Sequence, residues 1–255
     1  MEVSCKKEAK DLLNFSVKLA RLMIAYGAEV YRVEDTVYRI LGSFKNIQTA
    51  NVLVTYNFVI VTFIYSDSNF TAMRRVVIGD KNLEKISLMN DLSRKIVSKQ
   101  CENIQEAFDK LEEIRYKAPY SNLLVVLALV ISAPFFAVMF GGTFKDTIYS
   151  FVIMAVEAYF LIYATKFKMM FFLSNFIGAF LATVLTNIAA MYFPIENPAS
   201  IIIVALMPLV PGVQITNSVR DFMAGDYMSG IFGVIGAFFI ASAIALGVVF
   251  GLRLF

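Results

Sequence analysis

The sequence predicts a polytopic α-helical membrane protein with five transmembrane helices, preceded by a cytoplasmic α+β domain. Three observations lead there. The 255 residues are 58% hydrophobic with a mean hydropathy of +0.68, more apolar than an ordinary soluble domain. The 23 Lys and Arg and 20 Asp and Glu are unevenly spread. Beyond residue 117 the only charges are Lys145, Lys166, Lys168, Arg220, Arg253, Asp146, Glu157, Glu196, Asp221 and Asp226. Finally, residues 118–255 hold five apolar segments, each near the ~20 residues that cross a hydrocarbon core.

Residues 1–117 read as the α+β domain. Leu12, Phe15, Leu19, Leu22 and Tyr26, then Val30, Val33, Val37 and Ile40, recur at three- and four-residue steps, the spacing of a buried helical face. Gly27 separates the two sets, where a helix can end in a left-handed conformation. ANVLVTYNFVIVTFIY reads as two strands and TAMRRVVI as a third. NLEKISLMNDLSRKIVSK and IQEAFDKLEEIRYK return to helical spacing, giving the order ααβββαα.

The apolar segments are 123–140, 148–165, 169–193, 199–219 and 227–250. Their flanking Lys and Arg assign orientation. With the first domain inside, Arg115, Lys117, Lys166, Lys168 and Arg220 are cytoplasmic, against Lys145 and Arg253 outside. The lipid bilayer is therefore the first partner implied, and the cell membrane the location. The N-terminal residues MEVSCKKEAKDLLNF carry no signal-peptide pattern. In the last span Gly233, Ala237, Ala241 and Ala245 form a small-residue stripe suited to helix packing.

The chemistry is bounded by absence. There is no histidine, which removes His-activated nucleophiles, HExxH zinc sites and His proton relays. Cys5 and Cys101 have no metal-ligand spacing, so no metal and no cofactor is expected. The net charge of +3, without a basic stripe, argues against nucleic acid. An enzyme would need an Asp pair holding a metal, and Asp221 and Asp226 lie five apart, poorly placed on one helical face. No catalytic residue is expected.

Glu157, inside the second span, is a costly residue at roughly 2.5–3.5 kcal/mol for an acid at the helix centre. It is a proton-coupling candidate, or a neutral acid bonded to a neighbouring helix. The fourth span is interrupted, because Ala199–Val210 gives only ~18 Å of helix before Pro211-Gly212. Broken backbone at membrane depth survives where it lines a cavity. A half-helix starting there would aim its N–H groups at a substrate carboxylate. Gly212, Gln214, Thr216, Asn217 and Arg220 are the substrate-binding candidates and Asp221 a second proton-coupling one. Asn217 and Asp221 share one helical face. A harmless proline kink followed by a cytoplasmic turn at Arg220–Asp226 is the structural alternative. By spacing alone Glu29 with Arg32 and Asp35 with Arg39 are weak surface ion pairs.

Two stretches carry a family resemblance. GAEVYRVEDTVYRIL is similar to the early helical motif of the threonine/serine exporter (ThrE-type) family, and PGVQITNSVRDFMAGDYMSG resembles its later signature. The motif falls on Gly27, Glu29, Arg32, Glu34, Asp35, Pro211, Gly212, Thr216, Asn217, Arg220, Asp221, Gly225 and Asp226. The resemblance implies a cytoplasmic domain, five spans and a second five-span module, fused or separate. Ending at Phe255, the chain resembles the separate-subunit form, as in the larger subunit of a two-component succinate exporter. It implies an oligomer with a second, smaller five-span subunit of the same family. Glu29 and Arg32 become candidates for the cytoplasmic mouth. The expected function is secondary, proton-coupled export of threonine and serine or of small dicarboxylates such as succinate. A membrane sensor or scaffold with a ligand-binding domain is the alternative.

Overall fold

A computed structural model describes every residue except Met1, Ile78, Asp80, Glu102 and Lys168. The last position of the expected third strand (Ile78) and one orientation lysine (Lys168) thus lie outside the described residues. The chain divides into two compact units: Met1–Ala118 with Val213–Val234, and Pro119–Gly212 with Ile235–Phe255.

The first unit runs α1 (Lys6–Ala25), α2 (Val30–Gly42), β1 (Gln48–Val54), β2 (Phe58–Tyr65), β3 (Ser68–Arg75), α3 (Leu83–Val97) and α4 (Ile104–Tyr116). This is the ααβββαα order that the periodicities imply. The strands form one antiparallel sheet in the order β1-β2-β3. Along β2, Val59, Val61, Phe63 and Tyr65 are buried while their neighbours are only partly covered, the period of two of a half-buried strand. Leu12, Phe15 and Leu19 of α1 and Val30, Val33, Val37 and Ile40 of α2 close the same core. Asn82 and Asn103 cap α3 and α4, each accepting an N–H three residues on.

The rest of this unit comes from far along the sequence. It comprises most of α9 (Gly212–Ala224) and the first turns of α10 (Tyr227–Leu252). α9 presents Asn217, Ser218 and Asp221 as its buried face.

The second unit contains α5 (Asn122–Met139), α6 (Phe144–Lys166), α7 (Phe171–Tyr192), α8 (Pro198–Leu206) and the remainder of α10. Thr143 and Asp146 form a capping box at the start of α6, which satisfies otherwise orphaned backbone donors. Asp146 also accepts the N–H groups of Glu196 and Asn197, tying the α7–α8 connection to that helix end. Among the described residues four helices are long and apolar enough to cross a membrane: α5, α6, α7 and α10. The fifth expected span, 199–219, is not one helix. It is α8, a bend over residues 207–211 and α9, and the two helices belong to different units. Pro208 and Pro211, by removing backbone donors, account for the break.

The packing face of α10 also differs from the expected stripe. Gly233 and Ala237 are buried, but Ala241 and Ala245 are exposed, and burial passes to Ile240, Ala243, Ile244 and Gly247. A Cβ on Gly247 would stand 2.4 Å from the carbonyl oxygen of Phe176 and 2.9 Å from Ala179 Cβ. Only a glycine lets these two backbones approach so closely. Gly247→Ala should therefore lower stability by about 1–3 kcal/mol, although helix propensity alone favours Ala. Gly42→Ala, where nothing lies within 4 Å, should not. Thermal unfolding of the two variants in detergent checks this.

Candidate functional site

The site is built on the turn between α1 and α2. Gly27 takes φ +94°, the left-handed geometry that ends α1 and turns the chain back. Three residues later, at Val30, α2 begins with its first N–H groups lacking intrahelical partners. Glu29 occupies the N-cap position but makes no side-chain cap. The turn thus leaves a carbonyl, an N–H and a carboxylate seeking partners.

α9 supplies all three. Asn217 Nδ2 donates to the Gly27 carbonyl at 2.9 Å. Asp221 Oδ1 accepts the Val30 N–H at 3.1 Å, capping α2 from 191 residues away with a charge that complements the helix dipole. Arg220 Nη1 donates to Glu29 Oε1 at 2.5 Å, while Arg32 Nη1 donates to Oε2 at 3.2 Å. Glu29 is 7% exposed, so its carboxylate is buried between two guanidinium groups that are themselves half exposed. Asp221 is fully buried, and its Oδ2 has no hydrogen-bond partner among the described residues.

Of the residues singled out in the sequence, Glu29, Arg32, Asn217, Arg220 and Asp221 come together. Gln214 Nε2 instead donates to the Gly233 carbonyl at 3.0 Å, fixing the α9–α10 corner. Thr216 lies on the exposed side of α9. Gly212, the first residue of α9, and Glu157 belong to the other unit. There Glu157 is 2% exposed, with Oε1 unpartnered and facing Gly178, beside Leu209 and Phe160. Asp35 and Arg39 do form an exposed pair at 2.7 Å.

The family model described as "Putative threonine/serine exporter" (ThrE) matches residues 14–255. The chain belongs to this family. A "Probable threonine/serine exporter" of Mycobacterium tuberculosis is 21% identical over 248 residues, covering 96% of this chain and 46% of the relative. The chain thus spans about half the length of the curated relative it matches. No solved structure matches. Family membership and the apolar helices make this a multi-pass membrane protein of a transport family.

In this ThrE chain three more residues join the site without having been singled out for it. Glu34 accepts the Val54 N–H at 2.8 Å, anchoring the end of β1 to α2. The hydroxyl of Tyr56, in the β1–β2 turn, meets both Ser218 and Asp221, and Ser218 Oγ donates to the Gln214 carbonyl at 2.7 Å. Glu34 is signalled by the family motif; Tyr56 and Ser218 have no sequence signal beyond their polarity.

The electrostatics are divided. Burial opposes a charge on Glu29, but its own backbone N–H, then Arg220 and Arg32, outweigh it and hold its carboxyl below the usual value. Burial pushes Asp221 up to about 6, over the opposing effect of the Val30 N–H, and the charges of Asp226 and Glu29 add to the rise. Burial, then the Asp221 charge, pushes Tyr56 up to about 12. Glu34 and Asp226 are also raised, chiefly by burial. One cluster therefore holds a committed anion, Glu29, beside an acid that titrates near neutrality, Asp221.

Asp221→Ala should cost about 1–2 kcal/mol, because it strands the Val30 N–H, while Asp221→Asn keeps an accepting oxygen and costs far less. The pH dependence has a definite sign. Because the folded chain raises the Asp221 pKa, the group's stabilising contribution is complete below the ordinary carboxylate range. It is lost as pH rises through about 6. The stability of Asp221→Asn relative to the parent should therefore improve from pH 4 to pH 7, as read by unfolding curves across that range.

Proposed function

We propose that this chain is one subunit of a secondary exporter for small hydroxy amino acids such as threonine and serine, or for small dicarboxylates such as succinate, driven by protons. The observation that carries this reading is the Glu29–Arg220–Asp221 cluster, where an accessible guanidinium is held by a buried carboxylate next to a titrating acid. A substrate carboxylate can compete with Glu29 for the exposed donors of Arg220, since a guanidinium serves two carboxylates through its fork. Glu29 then keeps Arg32 as its counter-charge. Because docking raises the Asp221 pKa, proton uptake there favours the docked α9, and proton release loosens it from the α1–α2 turn. Anion binding and proton uptake thereby act on the same helix.

Other residues have secondary roles in this proposal. Glu157 is a second proton carrier, within the second unit. Gly212, Gln214 and Thr216 place the start of α9 so that its N-terminus receives the substrate carboxylate. The N-terminal unit is cytoplasmic and the protein lies in the cell membrane. A second, smaller five-span subunit of the same family completes an oligomeric transporter. Within that assembly, residues 199–219 serve as the fifth span. The exporter is not an enzyme and uses no cofactor.

The test is efflux of labelled threonine, serine and succinate from cells making this chain with and without such a partner. Efflux should require both proteins. It should fall about tenfold or more in Asn217→Ala, Asp221→Asn and Glu157→Gln, with the variants still inserted in the membrane. Unchanged efflux in all three would remove the site assignment.

A further inference from the structure

A second polar cluster, built from residues outside the ThrE motifs, lies elsewhere in the first unit. Asn14, Lys18 and Arg21 follow one another at four and three residues along α1, which puts them on one face. With Val17, Arg74 of β3 and Phe108 of α4 they line a cavity of about 180 Å³. The Lys18 ammonium pairs with Glu112 and stands 5.5 Å from the centre of the Phe108 ring. Glu112 also holds Arg115 at 3.3 Å. Arg21 and Arg74 have no carboxylate partner among the described residues; Arg74 Nη1 donates only to the Met73 carbonyl, at 2.9 Å. Positive charge here exceeds negative charge. Lys18 reports that excess, because burial and then the charges of Arg115 and Arg21 lower its pKa despite the ion pair with Glu112.

We propose that this cavity is a binding site for a phosphoryl dianion, either free phosphate or the headgroup of a phosphate-bearing molecule. Cations from α1 and β3 meet at one compact space, and Asn14 adds an amide donor. That arrangement suits a single tetrahedral centre carrying two charges, gripped by guanidinium forks and an ammonium. It suits a dicarboxylate poorly, because the two charges of such a ligand lie at opposite ends. The site uses none of the residues assigned to transport, so the proposal stands independently of that reading.

Calorimetric titration of the full chain in detergent with inorganic phosphate should show saturable binding at one site. Sulfate should displace the phosphate and succinate should not. Arg21→Gln and Arg74→Gln should each weaken binding about tenfold, the loss of a charge-assisted hydrogen bond, without moving the unfolding midpoint. Glu112→Gln should tighten it by freeing Lys18. Repeating the titration in nanodiscs with and without phosphatidic acid separates the two sources. Competition by the lipid assigns the phosphoryl group to a headgroup, and its absence assigns it to a free anion. Absence of saturable binding, affinity unchanged from the parent in both arginine variants, or displacement by succinate as readily as by sulfate would overturn the proposal.

Discussion

The first unit depends on one contact, the capping of α2 by Asp221. The helix starts three residues after a left-handed glycine, and Glu29, its N-cap residue, turns its carboxylate toward arginines instead of capping it. α9 closes the gap. Within five residues it offers an amide donor, a cation and an anion, matched to a carbonyl, a carboxylate and an N–H on the turn. Each contact is worth on the order of 1 kcal/mol, and together they hold a helix from late in the chain against the N-terminal core.

This arrangement explains why so many polar residues fall in a short, otherwise apolar part of the sequence. Asn217 and Asp221 share the helical face that Ser218 flanks, and all three are buried. The neighbouring Val213, Ile215 and Val219 are exposed. α9 is thus polar where it meets protein and apolar on its open side, the reverse of a helix on a soluble core. A lipid environment accounts for that inversion.

Much of the architecture was legible in the residue pattern. Helical spacing placed α1 to α4, alternation placed the strands, and the apolar runs placed α5, α6, α7 and α10 within a few residues. The interruption near Pro211 was legible too, because proline and glycine break helices by local chemistry alone. What escaped was long-range pairing. Glu29 and Arg32 read as an exposed pair at helical spacing, since nothing local reveals that Arg220 arrives from 191 positions later. Likewise, the sequence shows that α9 has a polar face but not which surface that face covers. On α10, small residues every four positions suggested one seam, yet the helix uses Gly247 in place of Ala245, because contact follows backbone geometry and not residue size alone. Tyr56 lies in a turn, where no periodicity can single it out.

The central claim is that charge and hydrogen bonding fasten α9 to the α1–α2 turn. A double-mutant cycle on Glu29→Gln and Arg220→Gln tests it most directly, with stability measured by denaturant unfolding of the full chain in detergent. The account predicts a coupling energy of about 1 kcal/mol or more, as for residues in one ion-pair network. Strictly additive effects of the two substitutions would contradict it.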